Sequence, residues 1–350
     1  MSPQPDHPPA GDFEQVEVVT DRASGMQAVL AIHDTRMGPA FGGIRRRAYA
    51  SLEEATRDVL QLAAAMTWKC AMAGLPAGGG KMVLLDHEGL DRPAAYRCIG
   101  TFVASLGGRF STGPDVGTTD ADLREVCSRT RHCANPDAAG PGDLGRATAL
   151  GVFHALLATA QRAGIELVGA TVLVQGLGTV GAPLARMCRE ADARLLLADV
   201  DGARAQALAA GLGAQVVDPA RVLATPCDVL VPCALGGLVD TAAAGSLPVR
   251  AVCGAANNLL ASAEAGRVLH DRGIPVAPDF VANAGALIAG CLHQLNGTRV
   301  GDDRITAIGR TVDAVLGESS RTGRPPGEVA LAWARSRVAA LPHRPYVGAK

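Results

Sequence analysis

Apolar and polar positions divide the chain into two stretches with different rhythms. In the first, two runs of strand length, Val16 to Val19 and Met26 to His33, flank Asp21-Arg22-Ala23-Ser24-Gly25, which predicts two strands joined by a turn. His33, closing the second run, reads as structural. Gly38-Pro39-Ala40-Phe41-Gly42-Gly43-Ile44-Arg45 reads as a loop, suited to backbone amides lying against a ligand and equally to a plain tight turn. Ser51-Leu52-Glu53-Glu54 is a capping box, and Val59, Leu60, Ala63 and Met66 recur behind it at helical spacing as far as Trp68 and Lys69. Met82 to Leu85 predicts a buried strand and Arg92 to Leu106 a second helix. Cys127 to Gly140 reads as helix passing into irregular chain. Helical spacing returns from Thr148 to Ala163.

After that the rhythm changes to short apolar runs separated by helical stretches. The runs are Ala170 to Gln175, Arg194 to Ala198, Ala214 to Val217, Val229 to Val231 and Arg250 to Cys253, the pattern of a parallel sheet built from β-α units. Ala277 to Ile288 predicts a loop and a helix start with Asn283 as its cap. Pro326 to Leu341 predicts a last helix, followed by a polar tail. The fold class is therefore α/β, with two domains expected from 350 residues.

Composition narrows the function classes. A net charge of −1 provides no basic field for nucleic acid or an anionic membrane, and no apolar run reaches the roughly 18 residues of a membrane span. Nine cysteines without CxxC pairs suggest reduced thiols and a cytoplasmic setting. Eight histidines form no HExxH or other ligand cluster, so no metal is expected. The proline-rich start lacks the apolar core of a signal peptide and reads as a disordered lead-in over residues 1–12.

Two stretches carry candidate chemistry. In residues 66–81, MTWKCAMAGLPAGGGK, Lys69 ends a helix and Lys81 opens a strand across a glycine-rich break, so two cations from different elements are brought to one place. One can hold a carboxylate as a point charge; the other, desolvated, can act as a base. Two surface lysines flanking a loop is the alternative. Asp115, in RFSTGPDVGTT, is a turn former or cap unless those lysines lie near it. The second stretch runs from the strand ATVLVQ into Gly176-Leu177-Gly178-Thr179-Val180-Gly181, then a helix, a strand and Asp199, 18 residues past the last glycine. This is the dinucleotide fingerprint in its required setting. Gly176 makes the tight turn, Gly178 leaves room for the pyrophosphate, Gly181 lets helix pack on strand, and Asp199 accepts from the ribose hydroxyls. An acid there favours NAD over NADP, although Arg204 lies five residues on. Cys233 and Ala234 after one later strand, and Ala256, Asn257 and Asn258 after another, are expected to line the nicotinamide side, with Asn283 beyond them.

With those motifs in place, the chain from about Gln15 to Leu341 resembles the amino-acid dehydrogenases acting on leucine, valine and phenylalanine, relatives of glutamate dehydrogenase. The resemblance rests on GPAFGG, MTWK with GLPAGGGK, TGPDVGT, QGLGTVG, CDVLVPCALGG, GAANN and APDFVANAG, in that order. It implies a substrate domain over 13–146, a Rossmann-type NAD-binding domain over 147–321, a C-terminal segment 322–350 packing back on the first, and an active site in the cleft. By position Lys69 binds the α-carboxylate, Lys81 is the catalytic lysine, Asp115 the catalytic acid, and Asn257 or Asn258 helps hold substrate or the nicotinamide amide. It further implies NAD as cofactor, an amino acid, its 2-oxo acid and ammonia as reactants, and a homo-oligomer.

The resemblance also bears on the substrate. Glutamate enzymes carry lysine where this chain has Phe41, beside Gly42 and Gly43, so a side-chain carboxylate is disfavoured. Gly113 and Leu287 match some phenylalanine enzymes, whereas Phe41 for leucine and Ala286 for glycine cut the other way. VASLGGR and CGAANN look more like the valine enzymes. The order of expectation is phenylalanine, then leucine and valine. A catalytically dead regulator would be expected to have lost Lys69, Lys81 or Asp115. A hydroxy-acid dehydrogenase would rely on an arginine and a histidine pair, and no histidine here sits in such a motif.

Overall fold

In the computed structural model, which describes residues 10–137, 139–234, 236–344 and 346–347, the expected lead-in falls mostly on residues outside the described ones. Only its end is seen, where Ala10–Asp12 forms a short 3-10 turn. The two strand-length runs form β1 (Gln15–Asp21) and β2 (Met26–Asp34), an antiparallel pair with Gln15 opposite Ile32 and Asp21 opposite Met26. There follow β3 (Ala40–Arg47), α1 (Leu52–Met72), β4 (Gly78–Leu85), α2 (Arg92–Ser105), β5 (Phe110–Pro114) and α3 (Asp120–Cys127). The sheet order is β1-β2-β4-β3-β5, with β2 antiparallel to its neighbours and β3 parallel to both β4 and β5.

Alternation along β4 assigns the two faces of this sheet. Val83 and Leu85 pack with Val29 and Ala31 against Ala55, Val59 and Ala63 of α1. Met82 and Leu84 pack with Ile32, Ile44 and Phe110 against Tyr96, Ile99 and Val103 of α2 and Leu123 and Val126 of α3. His33 is buried, its Nδ1 2.9 Å from Thr67 Oγ1, with its ring edge-on to Phe13 and Trp68; it is part of the packing.

Three local expectations are corrected. The glycine-rich stretch at Ala40 to Arg45 is strand, because its glycines serve close packing: a Cβ on Gly42 would lie 1.7 Å from Gly80 O. The helix expected from Cys127 lies upstream and ends there. Thr119 and Asp122 form a reciprocal capping box that starts α3 at Asp120. At α1 only half of the expected box forms: Ser51 Oγ accepts from Glu54 N, while Glu54 accepts from Ala50 N.

The second unit begins with α4 (Leu144–Arg162) and continues with β6 (Thr171–Gln175), α5 (Gly181–Glu190), β7 (Arg194–Ala198), α6 (Gly202–Leu212), β8 (Gln215–Val216), β9 (Cys227–Pro232), α7 (Thr241–Ser246) and β10 (Val249–Val252). Its sheet is parallel throughout in the order β10-β9-β6-β7-β8, the doubly wound arrangement whose switch point lies beside the first strand, β6. Helices α8 (Ala263–Asp271), α9 (Asp279–Ala282), α10 (Gly285–Asn296), α11 (Asp302–Thr306), α12 (Ile308–Thr322) and α13 (Pro326–Ala339) complete the chain. By contact, one compact unit takes in the chain up to Gly142, Gly290–Val300 and the chain from Ala334; the other is Asp143–Ala289 with Gly301–Trp333. Two of these divisions fall inside α10 and α13, where the apolar pattern shows no break.

Candidate active site

Lys81 lies on β4 between Gly79 and Val83, on the face that α1 covers. Gly79 brings the strand in tightly beneath that helix, where a Cβ would meet Thr67 N at 2.1 Å, while a Cβ on Gly80, on the opposite face, would meet the Phe110 ring at 2.9 Å. Lys81 is thereby buried in its lower reaches, with a side chain only 8% exposed, and its Nζ lies 2.8 Å from Asp115 Oδ2. Asp115 follows directly on β5, and the order β4-β3-β5 brings together two residues 34 positions apart. The partner that the structure gives Lys81 is thus an anion. Lys69 stands half-buried in the last turn of α1, on the helix that covers this face.

Asp115 is held from several sides. Arg45 Nε reaches the same Oδ2 at 3.1 Å. Behind Asp115, Thr118 donates to Ile44 O at 2.6 Å and pairs with the buried Tyr96 hydroxyl at 2.7 Å. Burial alone would raise the Asp115 carboxyl, but the charges of Lys81 and Arg45 outweigh it and hold the group below the ordinary carboxylate range. Gly43 makes this placement possible, because a Cβ there would lie 2.4 Å from Pro114 O. Phe41, on the same face of β3 two residues earlier, is buried. At Gly113 a Cβ would meet only Ala134 Cβ, at 3.3 Å, closer than ordinary van der Waals contact, so a methyl group fits there only if Ala134 gives slightly. Arg45, Asp58, Tyr49 and Ala134 carried no role in the sequence reading. Arg45 was within a quoted motif, but only the register of β3 between β4 and β5 reveals its contact.

In the second unit Gly176 adopts φ +88°, and a Cβ on Gly181 would lie 1.8 Å from Gly176 O, so the turn closes only with glycine at both positions. A Cβ on Gly178 would meet nothing within 4 Å, and Thr179 beside it is exposed. Val180 precedes α5 without a side-chain cap. Ala182 N donates to Gly178 O at 3.2 Å and Pro183 has no amide hydrogen, so an anion there would be met by the amides of the turn that enters the helix. Asp199 Oδ2 accepts from Leu177 N at 2.6 Å and Oδ1 from Asp201 N at 2.8 Å, with Arg204 3.4 Å away. Burial opposes the charge, but those two amides and Arg204 keep the carboxyl below its ordinary range.

Cys233 N donates to Gln175 O at 2.6 Å, and Ala234 packs against Gly176. Ala256 is buried, whereas Asn257 and Asn258 are exposed, Asn258 with φ +51°. Asn283 does not cap the following helix as expected. It closes α9, and its Nδ2 donates to Ala255 O at 2.9 Å and Asn257 Oδ1 at 2.8 Å. Asn283 Oδ1 is buried and has no partner among the described residues. Leu287 is half-buried on α10. Among the described residues no cluster of three or more His, Cys, Asp or Glu side chains is placed to hold a metal, and no helix is long and apolar enough to cross a membrane.

Residues 13–132 match the family described as Glu/Leu/Phe/Val dehydrogenase, dimerisation domain, and residues 197–300 match Glutamate/Leucine/Phenylalanine/Valine dehydrogenase. The chain belongs to this family. It is an amino-acid dehydrogenase by that membership. It is 39% identical to a leucine dehydrogenase of Geobacillus stearothermophilus over 79% of this chain and 77% of that one. It is also 39% identical to a phenylalanine dehydrogenase of Bacillus thermotolerans over 87% and 82%. The crystal structure of L-tryptophan dehydrogenase from Nostoc punctiforme superposes with a TM-score of 0.82 at 33% identity, covering 94% of this chain and 96% of that one. The first match spans the sheet that carries Lys81 and Asp115, and the second runs from the end of β7 through α10.

Proposed function

We propose that this dehydrogenase catalyses the reversible, NAD-dependent oxidative deamination of an apolar L-amino acid, phenylalanine before leucine and valine, to the 2-oxo acid and ammonia. The observation that carries this reading is the buried 2.8 Å contact between Lys81 and Asp115. Lys69 holds the substrate α-carboxylate. Asp115 takes a proton from the substrate ammonium, freeing the nitrogen lone pair. NAD, when bound, would supply the acceptor for a hydride from the substrate Cα, which would leave the substrate as an iminium. Lys81, in its amine form, takes a proton from the water that attacks that carbon, and its contact with Asp115 gives the proton a direct path. Asp115 returns its proton to the nitrogen; the adduct's hydroxyl then gives its proton to the vacated Asp115 carboxylate as the C–N bond breaks, and ammonia leaves. The balance is amino acid, NAD⁺ and water giving 2-oxo acid, ammonium, NADH and one proton.

The second unit suits that cofactor. Gly176, Gly178, Thr179, Val180 and Gly181 would hold the pyrophosphate and Asp199 the ribose. Cys233, Ala234, Ala256 and Asn257 would line the nicotinamide side, where the orphan Asn283 Oδ1 is a ready acceptor for the carboxamide. Asn258 would approach the substrate. The homo-oligomer and the cytoplasmic setting belong to the same proposal; the matched dimerisation domain supports the first.

Gly113, whose missing side chain keeps clear of Ala134, and Leu287 would border the substrate side chain, and Gly42 and Gly43 would border the substrate. The buried Phe41 supports a second reading in which the pocket is shortened for a branched-chain substrate. NAD reduction with phenylalanine, leucine and valine in parallel tests the proposal. Phenylalanine should give the largest kcat/KM; turnover of none of the three would overturn the reaction.

A further inference from the structure

The side chains around Asp115 form a chain that the reaction scheme leaves unexplained. Arg45 extends from β3 with only 17% of its side chain exposed. Its Nε donates to Asp115 Oδ2 at 3.1 Å, and its NH1 reaches the two Asp58 oxygens at 3.2 and 3.3 Å. Asp58, from α1, also accepts from the Tyr49 hydroxyl at 2.6 Å. Lys81 Nζ and Arg45 Nε therefore share one oxygen of Asp115, and the arginine is anchored at its far end by a second carboxylate. A fork donor locked between two acids is poorly placed to bind a ligand and well placed to orient a carboxylate.

We propose that Arg45 is a positioning residue for Asp115: it turns Oδ2 toward Lys81, leaves Oδ1 to exchange protons with the substrate nitrogen, and sets the charge state of the carboxylate against the counter-pull of Asp58. This rests on the reading of Asp115 as the proton-transfer group.

The charges facing Asp115 are few enough to give signs. Lys81 comes from β4 and Arg45 from β3, and Asp58, which holds the far end of Arg45, stands on α1. Arg46 turns away to Asp86 and Gly117 O, and Asp122 of α3 turns to Arg92 and Thr119. Lys81 and Arg45 favour the ionised carboxylate. Asp58 opposes it directly and by neutralising Arg45. Removing Arg45 should make Asp115 easier to protonate, and removing the Asp58 charge should make it harder.

The test is the pH profile of kcat/KM for deamination in wild type, Arg45→Gln, Arg45→Lys and Asp58→Asn, with NADH binding followed by its fluorescence. Arg45→Gln should move the acidic limb, which belongs to the Lys81–Asp115 pair as a unit, up by about one pH unit, the lower end of the effect of one neighbouring charge, and lower kcat by about 10–100-fold through misplacement. Arg45→Lys should restore the limb and part of kcat. Asp58→Asn should move the limb the other way. NADH affinity should stay within a factor of about two in all variants, below the roughly 1.4 kcal/mol of a tenfold change. A merely structural role would lower activity evenly across pH, and superimposable profiles would overturn the proposal. Should Arg45→Gln not fold, the opposed behaviour of Arg45→Lys and Asp58→Asn still decides. Asp115→Asn separates the two readings: if it stays active, the assignment of Asp115 itself fails; if it is inactive while the profiles coincide, only the role of Arg45 fails.

Discussion

Gly43 and Asp115 occupy space that a single extra carbon would contest: a Cβ on Gly43 would lie 3.0 Å from Asp115 Cβ and 2.4 Å from Pro114 O. Gly43→Ala therefore pushes on the backbone that carries the proposed acid. A displacement near 1 Å costs about 100-fold in rate, and overpacking of this kind costs about 1–3 kcal/mol of stability. NADH affinity should be unaffected. Steady-state kinetics with an NADH titration and a denaturation curve check all three; kcat within a few-fold of wild type would show that this spacing is not what positions Asp115.

Cofactor choice follows from Asp199. Asp199→Ala removes the acceptor proposed for the ribose hydroxyls and leaves Arg204 paired with Asp201 alone. NAD binding should weaken by about 1–3 kcal/mol, the scale of hydrogen bonds to a charged group, and the preference over NADP should narrow. Binding isotherms for both nucleotides measure this. A wild-type protein that already prefers NADPH would reverse the reading of Asp199 and Arg204.

Asp115 also contributes to acid stability. Its folded carboxyl titrates below the ordinary value of 3.8, so its ion pairs stabilise the fold above that value, and the contribution is lost as pH falls through the folded value. Urea denaturation of wild type and Asp115→Asn should give a stability difference that is flat at neutral pH. It should shift against wild type only below about pH 4. A difference that changes chiefly between about pH 5 and 8 would point to another group.

The side-chain pocket is tested by Gly113→Ala combined with Leu287→Val. The added methyl meets Ala134 at the edge of tolerance, so the backbone should hold while the pocket loses room. One methylene in an apolar pocket is worth about 1–3 kcal/mol. The phenylalanine-to-leucine ratio of kcat/KM should move toward leucine by about ten- to a few-hundredfold. A wild type that already prefers leucine or valine would favour the reading in which Phe41 closes the pocket.

The parts legible in the sequence are those whose determinants lie close together along the chain. Strand, glycines, helix and Asp199 follow one another within 30 residues, and each step is local physics. Lys81 could be picked out because the glycines before it break a helical pattern. Its contact with Asp115 could not, because that depends on β3 lying between β4 and β5. Gly42 and Gly43 were misread as loop for the same reason: glycine ordinarily weakens a strand, and nothing nearby in sequence announces that Gly80 O and Pro114 O will come so close. Arg45 has no local signal at all. By contrast, the Thr119–Asp122 box that starts α3 was present in the sequence and went unread.

The most direct test of the account is NADH oxidation by wild type and Lys81→Ala with a panel of 2-oxo acids, with and without ammonium. Wild type should consume NADH only when ammonium is present, with phenylpyruvate and the branched-chain 2-oxo acids as substrates and 2-oxoglutarate poor. Lys81→Ala should bind NADH normally and turn over several orders of magnitude more slowly, the loss expected when a proton-transfer group is removed. Ammonium-independent oxidation, a preference for 2-oxoglutarate, or Lys81→Ala turnover within tenfold of wild type would contradict it.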